Sequence, residues 1–528
     1  MFALLKLFTA LALCRVAFAA SADDWRSRSI YQIIVDRYAL PEGADASKCN
    51  PGDQTWCGGN WNTIRQNLDY IQNAGFTAIW ISPVSQNYEG PRSAYGDAYH
   101  GYWIADATQL NARFGTADDL KALSDELHRR GMYLMVDVVV NNVMATTTTP
   151  DYSKFMFKDQ SLYHSYCPIQ WGNATSEEQC WLGDEKVPLP DLDTENPTVV
   201  SGYSSWVKSL VETYNIDGLR IDAAKHVDSA FWPKFCEAAG VFCIGEVFGD
   251  DIDFAATWQG PLDSILHYPM YNALVEAFAI PGHQNMTAVT DTIVQAKKKF
   301  KDPGLLGNFL ENQDLPRWNS FSVDPQSLWN AMVFNFMSDG IPIVYYGQEQ
   351  GFNGNADPYN REPLWPSGYA TTPSYQLITT LNKLRNYLVK STDNWLHSET
   401  QVLTTSAHGL AIMKGPIISI MTNIGSPPAN LSVAVYTPYA GSMTTMEILT
   451  CKQYVVGSNG TVDIEYTKGG VPAILVPTDV LKDSGFCGSE DVAQPTTGQL
   501  AQSSDAPELR RPFFLVALFV LGLVYVGL

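Results

Sequence analysis

Arg220 and Asp222 stand two residues apart in GLRIDAAKHV (218–227), within an alternation of apolar and charged residues. In a strand, such neighbours project from the same face. A guanidinium fixed beside a carboxylate lowers its pKa and keeps it ionised, which is what a carboxylate nucleophile needs. A structural ion pair at a strand end would read the same way. Gly218 lets another group approach the backbone closely. Two further acids bear on the choice. Glu246 sits in FCIGEVF (242–248), where apolar surroundings would raise its pKa and suit it to donate a proton. Asp314 follows Glu311 in FLENQD (309–314).

These acids need a scaffold that brings them together. Apolar runs at 29–37, 76–83, 132–141, 218–223, 241–247, 264–267, 307–311 and 341–346 predict eight strands. Helical spacing appears over 61–74, 117–130, 201–214, 229–239 and 327–337, and Gly75 and Gly131 stop the first two. Strands alternating with helices predict a (β/α)8 barrel, an α/β fold whose chemistry sits at the C-terminal strand ends. Asp137 and Asn141 lie in the second half of strand three, Asp222 ends strand four, and Glu246 ends strand five. Glu311 and Asp314 follow strand seven. Two carboxyls with pKa values pushed apart are the requirement for retaining glycoside chemistry. Asp314 would hold sugar hydroxyls.

The expected layout is a barrel over 21–141 and 195–397, with an inserted loop domain over 142–194. An antiparallel β-sandwich follows over 398–488, then a linker over 489–504. Residues 1–20 read as a signal peptide with a small-residue site at Ala17-Phe18-Ala19. The C-terminal apolar tail of about sixteen residues follows a polar spacer and small residues, the pattern of a GPI signal over 505–528. Ser503 or Ser504 is the expected attachment residue. A C-terminal transmembrane anchor is the competing reading, but the tail is short and lacks a basic flank. The expected location is therefore outside the cell, GPI-anchored to the outer face of the plasma membrane or the cell wall, as a monomer.

Removing Cys14 with the leader leaves eight of nine cysteines in an oxidising compartment. Cys49 with Cys57, Cys167 with Cys180, and Cys451 with Cys487 are the expected pairs. Cys236 and Cys243 either form a fourth disulfide or stay as buried thiols. Asn173, Asn285, Asn430 and Asn459 head N-x-S/T sequons. The chain has 14 Trp, 26 Tyr and 23 Phe, which suit cores and sugar-stacking platforms alike. Its formal charge of −21 argues against a nucleic-acid partner.

Four stretches, DVVVNN (137–142), GLRIDAAKH (218–226), GEVF (245–248) and FLENQD (309–314), resemble the four short regions of the α-amylase family, glycoside hydrolase family 13. LPDLD (189–193), AYHGYW (98–103), GIPIVYYGQEQ (340–350) and DPYNRE (357–362) extend the likeness, which runs from about residue 22 to 488 and is nearest to fungal secreted members. The resemblance implies that Asp222 is the nucleophile, Glu246 the general acid/base and Asp314 the transition-state stabiliser, with Arg220 positioning the nucleophile. It implies substrate contacts for Gln54, Tyr102, Trp103, Lys225, His226, Asp357 and Arg361, with Tyr102 stacking on the sugar at the cleaved bond. It also implies a calcium ion held by the Asn141 and Asp191 side chains and the Glu178 and His226 carbonyls; oxygen-only ligands suit calcium.

Two positions depart from the family pattern. Asn142 and Gln313 stand where the family usually has histidines that contact the sugar. Amides bond to hydroxyls but never carry positive charge, so stabilisation of developing charge would weaken. A poor hydrolase, a transferase and an inactive protein all fit this change. Together with the GPI signal, the replacements resemble a fungal subgroup described as 4-α-glucanotransferases tied to cell-wall α-glucan. The leading expectation is such a transferase acting on malto-oligosaccharides. The alternatives are an α-amylase that hydrolyses α-1,4-glucan and a wall glucan-binding protein without catalysis.

Overall fold

The computed structural model describes residues 20–429, 431–466 and 469–488. Eight parallel strands build its centre: β1 (Ile30–Ile33), β2 (Ala78–Ile81), β3 (Tyr133–Val138), β4 (Gly218–Ile221), β5 (Phe242–Gly245), β6 (Ser264–Ile265), β7 (Gly307–Asn308) and β8 (Ile341–Tyr345). Their spatial order is β6-β5-β4-β3-β2-β1-β8-β7. Leu266 bridges Gly307 in parallel, and the His267 amide donates to the Gly307 carbonyl at 2.8 Å. Those contacts join the two edges and close a (β/α)8 barrel.

The strands are mostly apolar because both faces are covered. Alternate residues sort into two layers. Ile30, Ala78, Trp80, Met135, Phe242, Ile244 and Ile343 fill the barrel interior. Tyr31, Ile33, Ile79, Ile81, Leu134, Val136, Leu219 and Ile221 pack outward against helices. In the β3–β4 register Asp137 faces Arg220, and Met135 faces Gly218. Both charged residues therefore point inward, above an apolar layer. Trp25 closes that layer from below: its indole nitrogen donates to the Asp217 carbonyl at 2.9 Å. A Cβ on Gly218 would lie 2.6 Å from the Trp25 ring, so glycine is needed for this close approach.

Several elements differ from the sequence expectation. The first strand stops at Ile33, and Val35–Tyr38 forms a helical turn. Asp36 causes the break, because its carboxylate accepts the Cys57 and Gly58 amides and pairs with Arg37 at 3.2 Å. The helix expected over 61–74 divides at Asn67 into Trp61–Gln66 and Leu68–Asn73. The sixth and seventh strands keep only two residues each. Helices Tyr268–Phe278, Met286–Lys299 and Pro373–Ser391 complete the outer ring.

Between β3 and β4 the chain runs through irregular backbone, with a short helix Ala174–Gln179 and a hairpin of Leu182–Gly183 with Pro188–Leu189. A second antiparallel pair, Ser85–Asn87 with Ile104–Leu110, carries the loop holding Tyr102 and Trp103. Beyond the barrel lies an antiparallel domain. Its six-stranded sheet contains β9 (Gln401–Thr405), β10 (Gly409–Lys414), β11 (Ile417–Thr422), β13 (Thr444–Glu447), β14 (Gln453–Val455) and β16 (Ala473–Pro477). A strand pair of β12 (Ser432–Tyr436) and β15 (Thr461–Glu465) encloses a shared core with it.

Disulfides join Cys49–Cys57, Cys167–Cys180, Cys236–Cys243 and Cys451–Cys487. The third ties helix Phe231–Ala239 to β5 and settles the choice left open by the sequence. Asn173 and Asn459 are exposed, whereas Asn285 donates its amide to Glu276 at 2.8 Å. Asn430, the leader residues 1–19, Ser503, Ser504 and the C-terminal tail lie outside the described residues. Among the described residues no helix is long and apolar enough to cross a membrane.

Candidate active site

Arg220 is the hub of the barrel mouth. One of its terminal nitrogens donates to both Asp137 oxygens at 3.0 Å and to Asp222 Oδ1 at 2.6 Å. The other donates to Glu246 Oε2 at 2.8 Å. The guanidinium is fully buried beside the Trp80 and Tyr102 rings. Its planar fork holds carboxylates on separate nitrogens in a fixed geometry, where a lysine offers a single point charge. Asp222 and Glu246 immediately follow β4 and β5, so the strands deliver them to the same end.

Ala223 adds a second anchor. Its φ of 48° is left-handed, a conformation costing a non-glycine residue about 1–2 kcal/mol. This turn aims its amide at Glu246 Oε2, 3.0 Å away. The other oxygen, Oε1, receives the Tyr268 hydroxyl at 3.3 Å, and Asn312 in turn donates to that hydroxyl at 3.1 Å. The apolar surroundings expected for Glu246 are thus only part of its setting, because cross-strand donors reach in that local sequence does not reveal.

The charge balance also differs from expectation. Burial pushes the Asp222 carboxyl up from its ordinary value, Arg220 pulls it back, and nearby Glu246 raises it further. Adjacency to Arg220 therefore does not keep Asp222 low, because one guanidinium is shared among three acids in a desolvated site. Burial likewise raises Asp314, with Glu246 adding to the shift and Arg361 opposing it. Arg361 lies 3.4 Å from Asp314 and 3.0 Å from Asp357. Glu311 takes no part: it pairs with Arg317 at 3.0 Å and accepts the Trp318 amide at 2.7 Å.

The other expected contact residues are held by different partners. The Tyr102 hydroxyl donates to Asp137 Oδ2 at 2.9 Å, and the Trp103 amide donates to Asn87 Oδ1 at 2.9 Å. Gln54 adopts a left-handed backbone, and its carbonyl accepts the Asp97 amide. Lys225 pairs with Glu177 at 3.1 Å, while His226 Nδ1 donates to the Glu177 carbonyl at 2.8 Å. Asn142 and Gln313 are buried. Sequence reasoning missed Trp171. Its ring is 57% exposed, edge-on to His226 at 5.9 Å and below Lys225. An exposed tryptophan in a polar loop was the available signal.

A cation fits beside the inserted segment. Asn141 Oδ1 and Asp191 Oδ1 are buried and lack a hydrogen-bond partner. Two hard oxygens left bare in the interior are costly unless a cation or a hydrogen-bond donor meets them, and oxygen pairs of this kind suit calcium. Helix Ala174–Gln179, which carries Glu178, packs on the turn Ala224–His226. Close by, His164, Asp193 and Glu195 form a second group of potential ligands, which sequence reasoning did not single out. His164 also contacts Asp191 at 2.7 Å.

Residues 32–391 match the family described as alpha amylase, catalytic domain, and residues 402–495 match alpha-amylase, domain C. The chain belongs to the α-amylase family. It is 42% identical over 483 residues to α-amylase 2 of Schwanniomyces occidentalis, covering 90% of this chain and 94% of that one. It is 45% identical over 478 residues to α-amylase 1 of Lipomyces kononenkoae, covering 88% and 76%. An α-amylase structure from Malbranchea cinnamomea superposes with a TM-score of 0.86 at 41% identity, covering 89% of this chain and all of that one. Family membership makes the chain a carbohydrate-active enzyme acting on α-1,4-glucans.

Proposed function

We propose that the enzyme cleaves α-1,4-glucans by double displacement through a glycosyl-Asp222 intermediate. The observation that carries this reading is the single guanidinium holding Asp222 and Glu246 together. Tethering to adjacent nitrogens favours the close spacing of retaining pairs, about 5–5.5 Å, over the wider spacing of inverting ones. Asp222 attacks the anomeric carbon while Glu246 protonates the departing oxygen. Glu246 then takes a proton from the acceptor hydroxyl, which attacks the same carbon and frees Asp222. Asp314 and Arg361 hold sugar hydroxyls during both steps. Calcium, held by Asn141 and Asp191 with the Glu178 and His226 carbonyls, would tie the inserted segment to the barrel.

Water is the acceptor that the relatives' α-amylase names favour. The reading in which sugar is the acceptor rests on resemblance: neutral amides at positions 142 and 313, together with the GPI-type tail, resemble a fungal subgroup of 4-α-glucanotransferases acting on malto-oligosaccharides and cell-wall α-glucan. Incubation with maltoheptaose separates the two. Longer and shorter oligomers without new reducing ends mark transfer, and a matching rise in reducing ends marks hydrolysis. Under the transfer reading, Asn142→His with Gln313→His raises hydrolysis relative to transfer; an unchanged ratio removes these positions from acceptor control. The location outside the cell, on a GPI lipid attached at Ser503 or Ser504, is part of the same proposal. Release of the protein from intact cells by a phosphatidylinositol-specific phospholipase tests it, and retention counts against it.

A further inference from the structure

Gln32 lies on β1 at an inward-facing position, between Ile30 below and the barrel mouth above, in register with Trp80 and Tyr345. It is 2% exposed and lies against the equally buried Gln313. Its amide nitrogen donates to Gln313 Oε1 at 2.6 Å, while its own amide oxygen is buried without a partner. A bare amide oxygen in a core works against stability. Apolar residues of the same length at both 32 and 313 would serve the fold better, so folding alone does not account for the pair.

The bond fixes which end of Gln313 is free. Its oxygen is taken by Gln32, and its backbone carbonyl is held by Asn360 at 2.9 Å and Arg361 at 3.2 Å. Its amide nitrogen is neither hydrogen-bonded among the described residues nor among the sealed, partnerless atoms. The next residue is Asp314, and carboxylates surround the mouth. Their field favours an amide nitrogen over an amide oxygen on that side. Asn142 repeats the pattern: its Oδ1 accepts from Asn141 at 3.3 Å, leaving its nitrogen as the free end.

We propose that Gln32 is a positioning residue that locks the Gln313 amide with its N–H group toward the sugar held by Asp222. The inference rests on Asp222 being the nucleophile. Gln313 and Asn142 then act as two oriented, uncharged donors to sugar hydroxyls. Donors whose direction is set beforehand strengthen as charge develops without having to reorganise.

Gln32→Met keeps the length and removes the hydrogen bond. The assay is the initial rate at which 4-nitrophenyl maltoheptaoside is converted to shorter 4-nitrophenyl glycosides, separated by chromatography. Each glycosyl-enzyme formed releases such a labelled leaving group whether water or sugar then accepts the glycosyl group, so the result does not depend on the transfer reading. Gln32→Met is expected to lower kcat about tenfold, the worth of one oriented hydrogen bond, with KM within about twofold and a modest fall in Tm, because the Gln313 oxygen loses its donor. In a Gln313→Leu background the same substitution should change kcat by less than about twofold, because its effect passes through the missing amide. An undiminished kcat in Gln32→Met overturns the proposal. So does a full further loss in the Gln313→Leu background, or a fall in Tm without a fall in kcat.

Discussion

Arg220 serves Asp137, Asp222 and Glu246, and burial holds Asp137, Asp222 and nearby Asp314 above their ordinary values despite it. Two predictions follow at this scale. Asp222→Asn removes the proposed nucleophile and should lower kcat by at least about 10⁴-fold. Tm should hold or rise at neutral pH, because the ionised form is the one burial disfavours. A large fall in Tm would instead make Asp222 mainly a structural ion-pair partner. The second prediction concerns pH. A nucleophile must be ionised, and a raised folded pKa moves ionisation to higher pH. The acid limb of kcat/KM should therefore lie clearly above the about 3.9 of an ordinary aspartate. The sign for stability is the same. An acid with a raised folded pKa favours the fold at low pH, and that contribution is lost as pH rises through the folded value. A limb near 4 would show that Arg220 outweighs burial.

Strand β4 does its work through what lies beneath and beside it. Gly218 admits the Trp25 ring, Arg220 crosses to Asp137 on β3, and the chain turns left-handed at Ala223 to reach Glu246. Gly218→Ala places a methyl 2.6 Å from the indole. It should destabilise the protein by about 1–3 kcal/mol, in the range of overpacked cores. Thermal unfolding checks this, and combining it with Trp25→Leu should recover part of the loss. Additive effects of the two substitutions would show that the contact is not the cause. Expectations for such elements were legible where the pattern was local. The apolar runs and glycine stops marked the strands and the first helices. Asp36 ending β1 was not legible, because its partners Cys57 and Gly58 arrive from another loop.

At the scale of the molecule, the barrel anchors its two additions differently. The antiparallel domain docks through Asn330 of helix Pro325–Met337, whose side chain accepts the Thr422 amide and donates to the Gly470 carbonyl, both at 2.8 Å. The inserted segment instead leaves Asn141 and Asp191 oxygens bare, where the proposed calcium would sit. Chelation should therefore lower Tm, and added calcium should restore it. Asn141→Ala with Asp191→Ala should make Tm insensitive to both. A wild type whose Tm ignores chelation and calcium would assign those oxygens to another partner.

The sequence alone determined the barrel, the acids at its strand ends and the family, because these rest on short-range periodicity and contiguous motifs. Tertiary structure decided what those acids experience. Arg220 beside Asp222 read as a private pair, yet Asp137 and Glu246 share the guanidinium. Glu311 follows the same strand as Asp314, and only the structure shows that Arg317 claims it. The fate of Cys236 and Cys243 depended on how one helix packs on β5. Gln32 carried no signal in β1, because its partner lies 281 residues away. Desolvation and shared charge are properties of the assembled site, and no local pattern encodes them.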